Sequence, residues 1–233
     1  MRKRLASMFF VGAAAAAAVA IAAPSAFASG GTWTVSPGGS FTSSLNSGTS
    51  AVLSDSSNGL SLSCTASTAS GSLKTPPAGS AVLGAITSIK WSNCSGLGGL
   101  AAGSATGNAS ASNPWTLTGA AYNASVDGGQ TTGKITAPGT GVGATLSLTV
   151  LGSPCTAVVG GTTSAPATST GLYDNTSGLL AATSTTNLKV ISSNCTGLTA
   201  GNTATFFTSP ASTAGTAVSH GYTVSPKQKI TDP

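Results

Sequence analysis

The sequence predicts an all-β fold: an antiparallel β-sandwich built from two duplicated half-units and held by two disulfides. Three observations predict it. Apolar and hydroxyl-bearing residues alternate with period two in one run after another. Helix-favouring residues are scarce in a 233-residue chain that carries 37 Ser, 35 Thr and 31 Gly. Four cysteines stand in contexts that repeat pairwise.

The alternating runs come first. Leu60, Leu62, Cys64 and Ala66 alternate with Ser61, Ser63 and Thr65; Leu146, Leu148 and Val150 alternate with Thr145, Ser147 and Thr149. Ile89-Lys90-Trp91, Leu188-Lys189-Val190 and Tyr222-Thr223-Val224 keep the same period. In an extended chain this places apolar side chains on one face and hydroxyls on the other, the pattern of a half-buried antiparallel strand. Between the runs lie turn clusters: Ser56-Ser57-Asn58-Gly59, Asp127-Gly128-Gly129 and Asp174-Asn175-Thr176-Ser177-Gly178. Many short strands with frequent turns imply a sandwich or barrel, and a single two-sheet unit made from both halves is the expected form. The stretch from Gly98 to Ser112 is nearly all small residues and predicts a flexible loop joining the halves; Thr162 to Thr170 predicts a second flexible segment.

The N-terminus carries a separate message. Arg2-Lys3-Arg4 precedes an alanine-rich apolar run from Leu5 to Ala23, and Pro24-Ser25-Ala26-Phe27-Ala28 follows. This is the layout of a secretory signal peptide over residues 1–28, cut after Ala28, leaving residues 29–233 as a single domain. Without Arg2, Lys3 and Arg4, that domain carries six Lys and four Asp, a net charge of +2. Its lysines are scattered, so no basic face for nucleic acid is expected. No second apolar run is long enough for a transmembrane helix.

Cys64-Thr65-Ala66 is matched by Cys155-Thr156-Ala157, and Ser92-Asn93-Cys94-Ser95-Gly96-Leu97 by Ser193-Asn194-Cys195-Thr196-Gly197-Leu198. Leu60-Ser61-Leu62-Ser63 and Leu146-Ser147-Leu148-Thr149 precede the opening cysteines, Trp33-Thr34-Val35 pairs with Trp115-Thr116-Leu117, and Tyr222-Thr223-Val224-Ser225-Pro226 echoes the first strand. These matches imply an internal duplication, with half-units at about residues 30–110 and 111–233. An even cysteine number in an exported chain implies a disulfide framework, and the repeated contexts favour Cys64–Cys94 and Cys155–Cys195. The thiols are too far apart in sequence for a zinc site, and no histidine lies near them.

Chemistry is poorly supplied. There is no glutamate, and Asp55, Asp127, Asp174 and Asp232 lie in turns or at the C-terminus, where Asp caps backbone amides. His220 is the single histidine and is expected in a solvated loop. No catalytic residue, metal ligand or cofactor is therefore expected. Trp33, Trp91 and Trp115 are the candidate ligand-binding residues, against the alternative that they fill the core. The expected role is an exported, non-enzymatic structural, adhesive or binding module at the cell surface or in the medium. Its partners would be envelope polysaccharide or another surface protein, and neither nucleic acid nor a membrane-spanning helix is expected. The alternative is a small-molecule carrier with an aromatic-lined pocket. A barrel in an outer lipid layer would need longer strands and more aromatic residues.

Trp33-Thr34-Val35-Ser36-Pro37-Gly38-Gly39, Cys64-Thr65-Ala66-Ser67-Thr68-Ala69-Ser70-Gly71, Trp91-Ser92-Asn93-Cys94, Pro114-Trp115-Thr116-Leu117 with Tyr122-Asn123, and the tail from Tyr222 to Thr231 resemble small secreted proteins of high-GC Gram-positive, actinobacterial bacteria. The resemblance spans almost all of the exported part. It implies export and a β-rich fold; it carries over no functional residue.

Overall fold

The computed structural model describes residues 32–74, 81–126, 128–139 and 142–232. The signal segment, its Ala28 exit and Asp127 lie outside the described residues. Those described form strands without helix. In chain order they are β1 (Thr34–Ser36), β2 (Gly39–Leu45), β3 (Ser50–Asp55), β4 (Ser61–Leu73), β5 (Val82–Gly96), β6 (Ala101–Gly107), β7 (Trp115–Asn123) and β8 (Gln130–Thr136). There follow β9 (Val142–Val150), β10 (Ser153–Gly160), β11 (Thr168–Asp174), β12 (Leu179–Thr186), β13 (Lys189–Ser193), β14 (Ala204–Ser209), β15 (Tyr222–Ser225) and β16 (Lys229–Thr231).

The expected sandwich is replaced by ring closure. β4 and β5 are long and pair with each other from Leu62↔Gly96 to Leu73↔Gly84. Each has a different second neighbour along its two halves. β4 pairs with β3 through Ser61–Cys64 and with β2 through Thr68–Leu73. β5 pairs with β7 near its start and with β6 near its end. The row β5-β7-β8-β11-β12-β15-β2-β4 then closes on itself as an eight-stranded barrel. The other row, β5-β6-β9-β10-β13 on one side and β4-β3-β14 on the other, closes through one isolated bridge, Lys189↔Thr203. Two sheet rings thus share the β4–β5 wall. Closure removes the free edges that a sandwich would have to protect.

Alternation places the core inside these rings. Leu62, Cys64, Leu146, Leu148 and Val150 are buried, as are Ile89, Trp91, Leu188, Val190, Tyr222 and Val224. Asn93 adopts the left-handed conformation (φ 52°) where β5 shifts register against β6, so both Trp91 and Cys94 turn inward; a short polar side chain is among the few that accept this conformation cheaply. The disulfides are Cys64–Cys94 and Cys155–Cys195. Cys64 and Cys94 are direct partners across the β4–β5 wall, while Cys195 follows the end of β13 and reaches back to β10.

The loop expected over 98–112 is in large part strand β6, paired on both sides. Its small residues answer to crowding, not mobility. A Cβ on Gly103 would run into the Ser147 carbonyl, and one on Gly107 into Ile89 and the Trp115 ring. The second expected flexible segment divides: 161–167 connects strands, and Thr168–Thr170 opens β11. The two sequence half-units do not form separate bodies, since each ring takes strands from both.

The first ring has a plug. β1 and β16, from opposite ends of the domain, pair through Val35↔Ile230, and both side chains are buried. Tyr173 donates from its hydroxyl to the Gln228 carbonyl and accepts from the Gln228 amide. Asn175 matches the Ile230 backbone the same way, donating to its carbonyl and accepting from its amide. A cavity of about 60 Å³ beneath the plug is lined by a residue from every strand of the ring, among them Phe41, Leu83, Leu117 and Val224.

Candidate functional site

Two of the three tryptophans meet. Trp91 lies 6.4 Å from Trp115 and 5.7 Å, edge-on, from Phe206, centroid to centroid. They wall an apolar cavity of about 90 Å³ between the rings, with Leu53, Ile89 and Ile135. Each indole keeps its N–H satisfied, as buried tryptophans usually do. Trp91 Nε1 donates to Tyr222 Oη at 2.9 Å, and Trp115 Nε1 to Asn108 Oδ1 at 2.8 Å. Tyr222 donates onward to Ser67 Oγ at 3.2 Å. Burial pushes the Tyr222 phenol up to about 12, against the opposing pull of the Ser67 and Trp91 hydrogen bonds. Trp33 stands apart: it is buried, and a Cβ on Gly119 would meet its ring at 2.6 Å, so the glycine makes room for the indole.

Asp55 and Asp174 cap turns, as their contexts predicted; Asp232 does not. Asp55 accepts from the Ser57 amide, from Asn58 Nδ2 and, through both oxygens, from Asn202 Nδ2. Asp174 accepts from the amides of Thr176, Ser177 and Val218. Each begins a turn that ends on a left-handed glycine, Gly59 or Gly178. Asp232 is buried with both carboxylate oxygens unpartnered among the described residues. His220 lies 2.9 Å through Nδ1 from Ser219 Oγ, its own chain neighbour. Among the described residues no three His, Cys, Asp or Glu side chains group as metal ligands, and no helix is long and apolar enough to cross a membrane.

The outer wall of the first ring holds an arrangement that the sequence reading missed. Strands β15, β2, β4 and β5 are consecutive neighbours there. Their registers align Ser225, Thr42, Ser70 and Ser88 in one row and Thr223, Ser44, Thr68 and Lys90 in the next. The intervening row, Val224, Ser43, Ala69 and Ile89, points inward and is buried. Neighbouring hydroxyls in a row are set about 4.8 Å apart by strand spacing, and the rows about 6.7 Å apart by the two-residue repeat. The surface dips into a shallow depression of about 370 Å³ lined by Thr42, Ser44, Thr68, Ser70, Ser88, Thr223 and Ser225. The signal was present in the sequence as the hydroxyl member of each alternation. What it lacked was the strand order that stacks four such members side by side.

Comparisons with protein-family models, curated proteins and solved structures found no match.

Proposed function

We propose that the protein is an exported, non-enzymatic adhesive module that binds polysaccharide of the cell envelope through the hydroxyl rows of β15, β2, β4 and β5. The two aligned rows are the observation that carries this reading. Each hydroxyl both donates and accepts a hydrogen bond, so the wall complements a polymer whose own surface is made of hydroxyls. The ladder fixes the spacing in advance, which lowers the ordering cost of binding. Lys90 alone among the eight positions is charged, so binding should depend little on salt. Two disulfides and a signal-like N-terminus support placement outside the cell. Co-sedimentation with insoluble envelope polysaccharide tests the reading. The wild type should pellet and a Thr42→Val, Thr68→Val, Ser70→Ala variant should stay in solution; equal pelleting of both would overturn it.

A second reading is a carrier of a small apolar molecule. The cavity walled by Trp91, Trp115 and Phe206 supports it. Native mass spectrometry of protein from its own host should then show a bound compound that a Trp115→Ala variant loses. For the fold, the repeated contexts Ser92-Asn93-Cys94 and Ser193-Asn194-Cys195 support the duplication.

A further inference from the structure

We propose that the paired tips of the β5–β6 and β9–β10 hairpins form a small membrane-docking point that inserts Leu100 and Leu151 into a lipid surface. The two leucines are neighbours. Ala101 is paired with Val150, and the Leu151 amide donates to the Leu100 carbonyl at 3.0 Å. They are 47% and 67% exposed, the two most exposed large apolar side chains among the described residues. Gly98, Gly99, Gly152, Ser153 and Pro154 around them are exposed as well.

Exposure alone would mean little, since single apolar side chains are common on surfaces. The backbone of Leu151 adds a second observation. Leu151 and Gly152 are the two central residues of the β9–β10 turn, and both have positive φ, 52° and 80°. Such a turn favours Asn-Gly or Gly-Gly, because a residue with a Cβ is strained there unless its side chain is short and polar. Leu97, with φ 50°, sits in the same strained region but buries its side chain to 2% exposure, which offsets the strain. Leu151 has no such offset within the molecule. An apolar side chain is held at a position that disfavours it both sterically and by solvation, the kind of local conflict that marks a functional position.

The surroundings select the occupant. The sequence carries no charge between Lys90 and Asp127 or between Lys134 and Asp174, the two stretches that contain these hairpins. Along the ladders the first charged residues are Lys90, midway along β5 opposite Thr106, and Lys189, at the far end of β13 opposite Gly160. Asp55, toward the same end of the sheet, is buried and held by Asn58 and Asn202. Two leucines on a tip fall far short of the roughly 800 Å² per partner of a stable protein interface. A fluid hydrocarbon layer needs no complementary surface and accepts a projecting apolar point. The absence of charge makes the attraction hydrophobic, not electrostatic.

The proposal does not rest on polysaccharide binding, and its test separates the two. The full mature chain is mixed with phosphatidylcholine vesicles, with and without an anionic lipid, and the bound fraction is read by flotation at low and high salt. Partitioning into neutral vesicles is expected, unchanged by salt. Leu151→Asn should weaken it about tenfold and Leu151→Asn with Leu100→Ser about a hundredfold, since each leucine loses roughly one side-chain transfer to hydrocarbon. The hydroxyl-row variant should partition like wild type. Leu151→Asn puts the preferred Asn-Gly pair into the turn, and thermal unfolding of both tip variants reports that they are folded. The proposal is overturned by absence of flotation on any vesicle, by flotation that the double variant retains, or by flotation only on anionic vesicles and only at low salt. It is equally overturned if sedimentation shows the leucines holding two copies together while vesicles bind neither form.

Discussion

In the first ring every strand is laddered to a neighbour on each side, and the chain ends return as β1 and β16 to plug it through hydrogen bonds from Tyr173 and Asn175. In the second ring β13 and β14 meet through a single bridge, and one disulfide, Cys155–Cys195, lies beside it; the other, Cys64–Cys94, crosses the wall that the two rings share. Cys155–Cys195 ties β10 to the segment just past β13, beside the weak seam. Cys64 lines the second ring's small cavity together with Leu62, Leu146 and Phe206. The difference teaches where covalent support is needed in a domain with little apolar bulk. The first ring's remaining strands close by ladder and buried hydrogen bonds; the second ring adds a covalent tie beside its incomplete seam.

The largest effect expected from this contrast comes from Cys155→Ser with Cys195→Ser. Opening a loop of 40 residues removes about 4 kcal/mol in the chain-entropy account. Hydrogen exchange should then speed up in β9, β10, β13 and β14 while β7, β8 and β11 keep their protection. Uniform loss of protection would show that the rings are one cooperative unit and break the comparison.

Alkali should strike the other ring. Tyr173 and Tyr222 both belong to the first ring, and burial raises each phenol to about 12. At Tyr173 the Gln228 hydrogen bond opposes that rise and the nearby Asp174 charge adds to it. In the unfolded chain a tyrosine loses its proton near 10. Between pH 10 and 12 the unfolded state therefore binds fewer protons than the fold, so stability falls with rising pH. It is fully present below pH 10 and lost through 12, by roughly 3 kcal/mol for the fully buried Tyr222. Phenolate absorbance followed alongside hydrogen exchange should show β11, β15 and the plug opening first. Opening of the second ring ahead of them would reverse the assignment.

Asn175→Ala sharpens the plug's share. It strips partners from both backbone groups of Ile230, a cost of about 2 kcal/mol for buried groups left unpaired. The denaturation midpoint should drop accordingly with the second ring's exchange unaffected.

How far the sequence carried this picture depends on what each feature encodes. Strand positions were legible because alternation is local: apart from Leu60, which precedes β4, the runs Leu60–Ala66, Leu146–Val150 and Tyr222–Val224 lie in strands with their larger apolar members mostly inside. The disulfide partners were legible because the repeated Ser-Asn-Cys contexts mark equivalent positions. Ring closure was not, because nothing in the alternation of β4 or β5 says that each changes neighbour midway. β6 was misjudged for a physical reason: Ala and Gly in Ala101–Gly107 read as flexibility, yet Ile89, Trp115 and the Ser147 backbone leave no room for anything larger. Of the three candidate tryptophans, Trp33 went elsewhere, against Gly119 of β7, and the hydroxyl rows stayed hidden until strand order aligned them.

The smallest predicted effect has the opposite sign to the others. Leu97 and Leu151 share a left-handed backbone, at φ 50° and 52°, but Leu97 is buried and Leu151 is open to solvent. Asn at 151 should relieve strain without opening a cavity, so Leu151→Asn is expected to stabilise the protein by about 0.5–1 kcal/mol. A rise in the thermal midpoint, paired with weaker vesicle binding, would show a stability cost retained at the tip. A lower midpoint would mean that Leu151 makes contacts worth more than its strain, and the tip would then belong with the packed turn at Leu97.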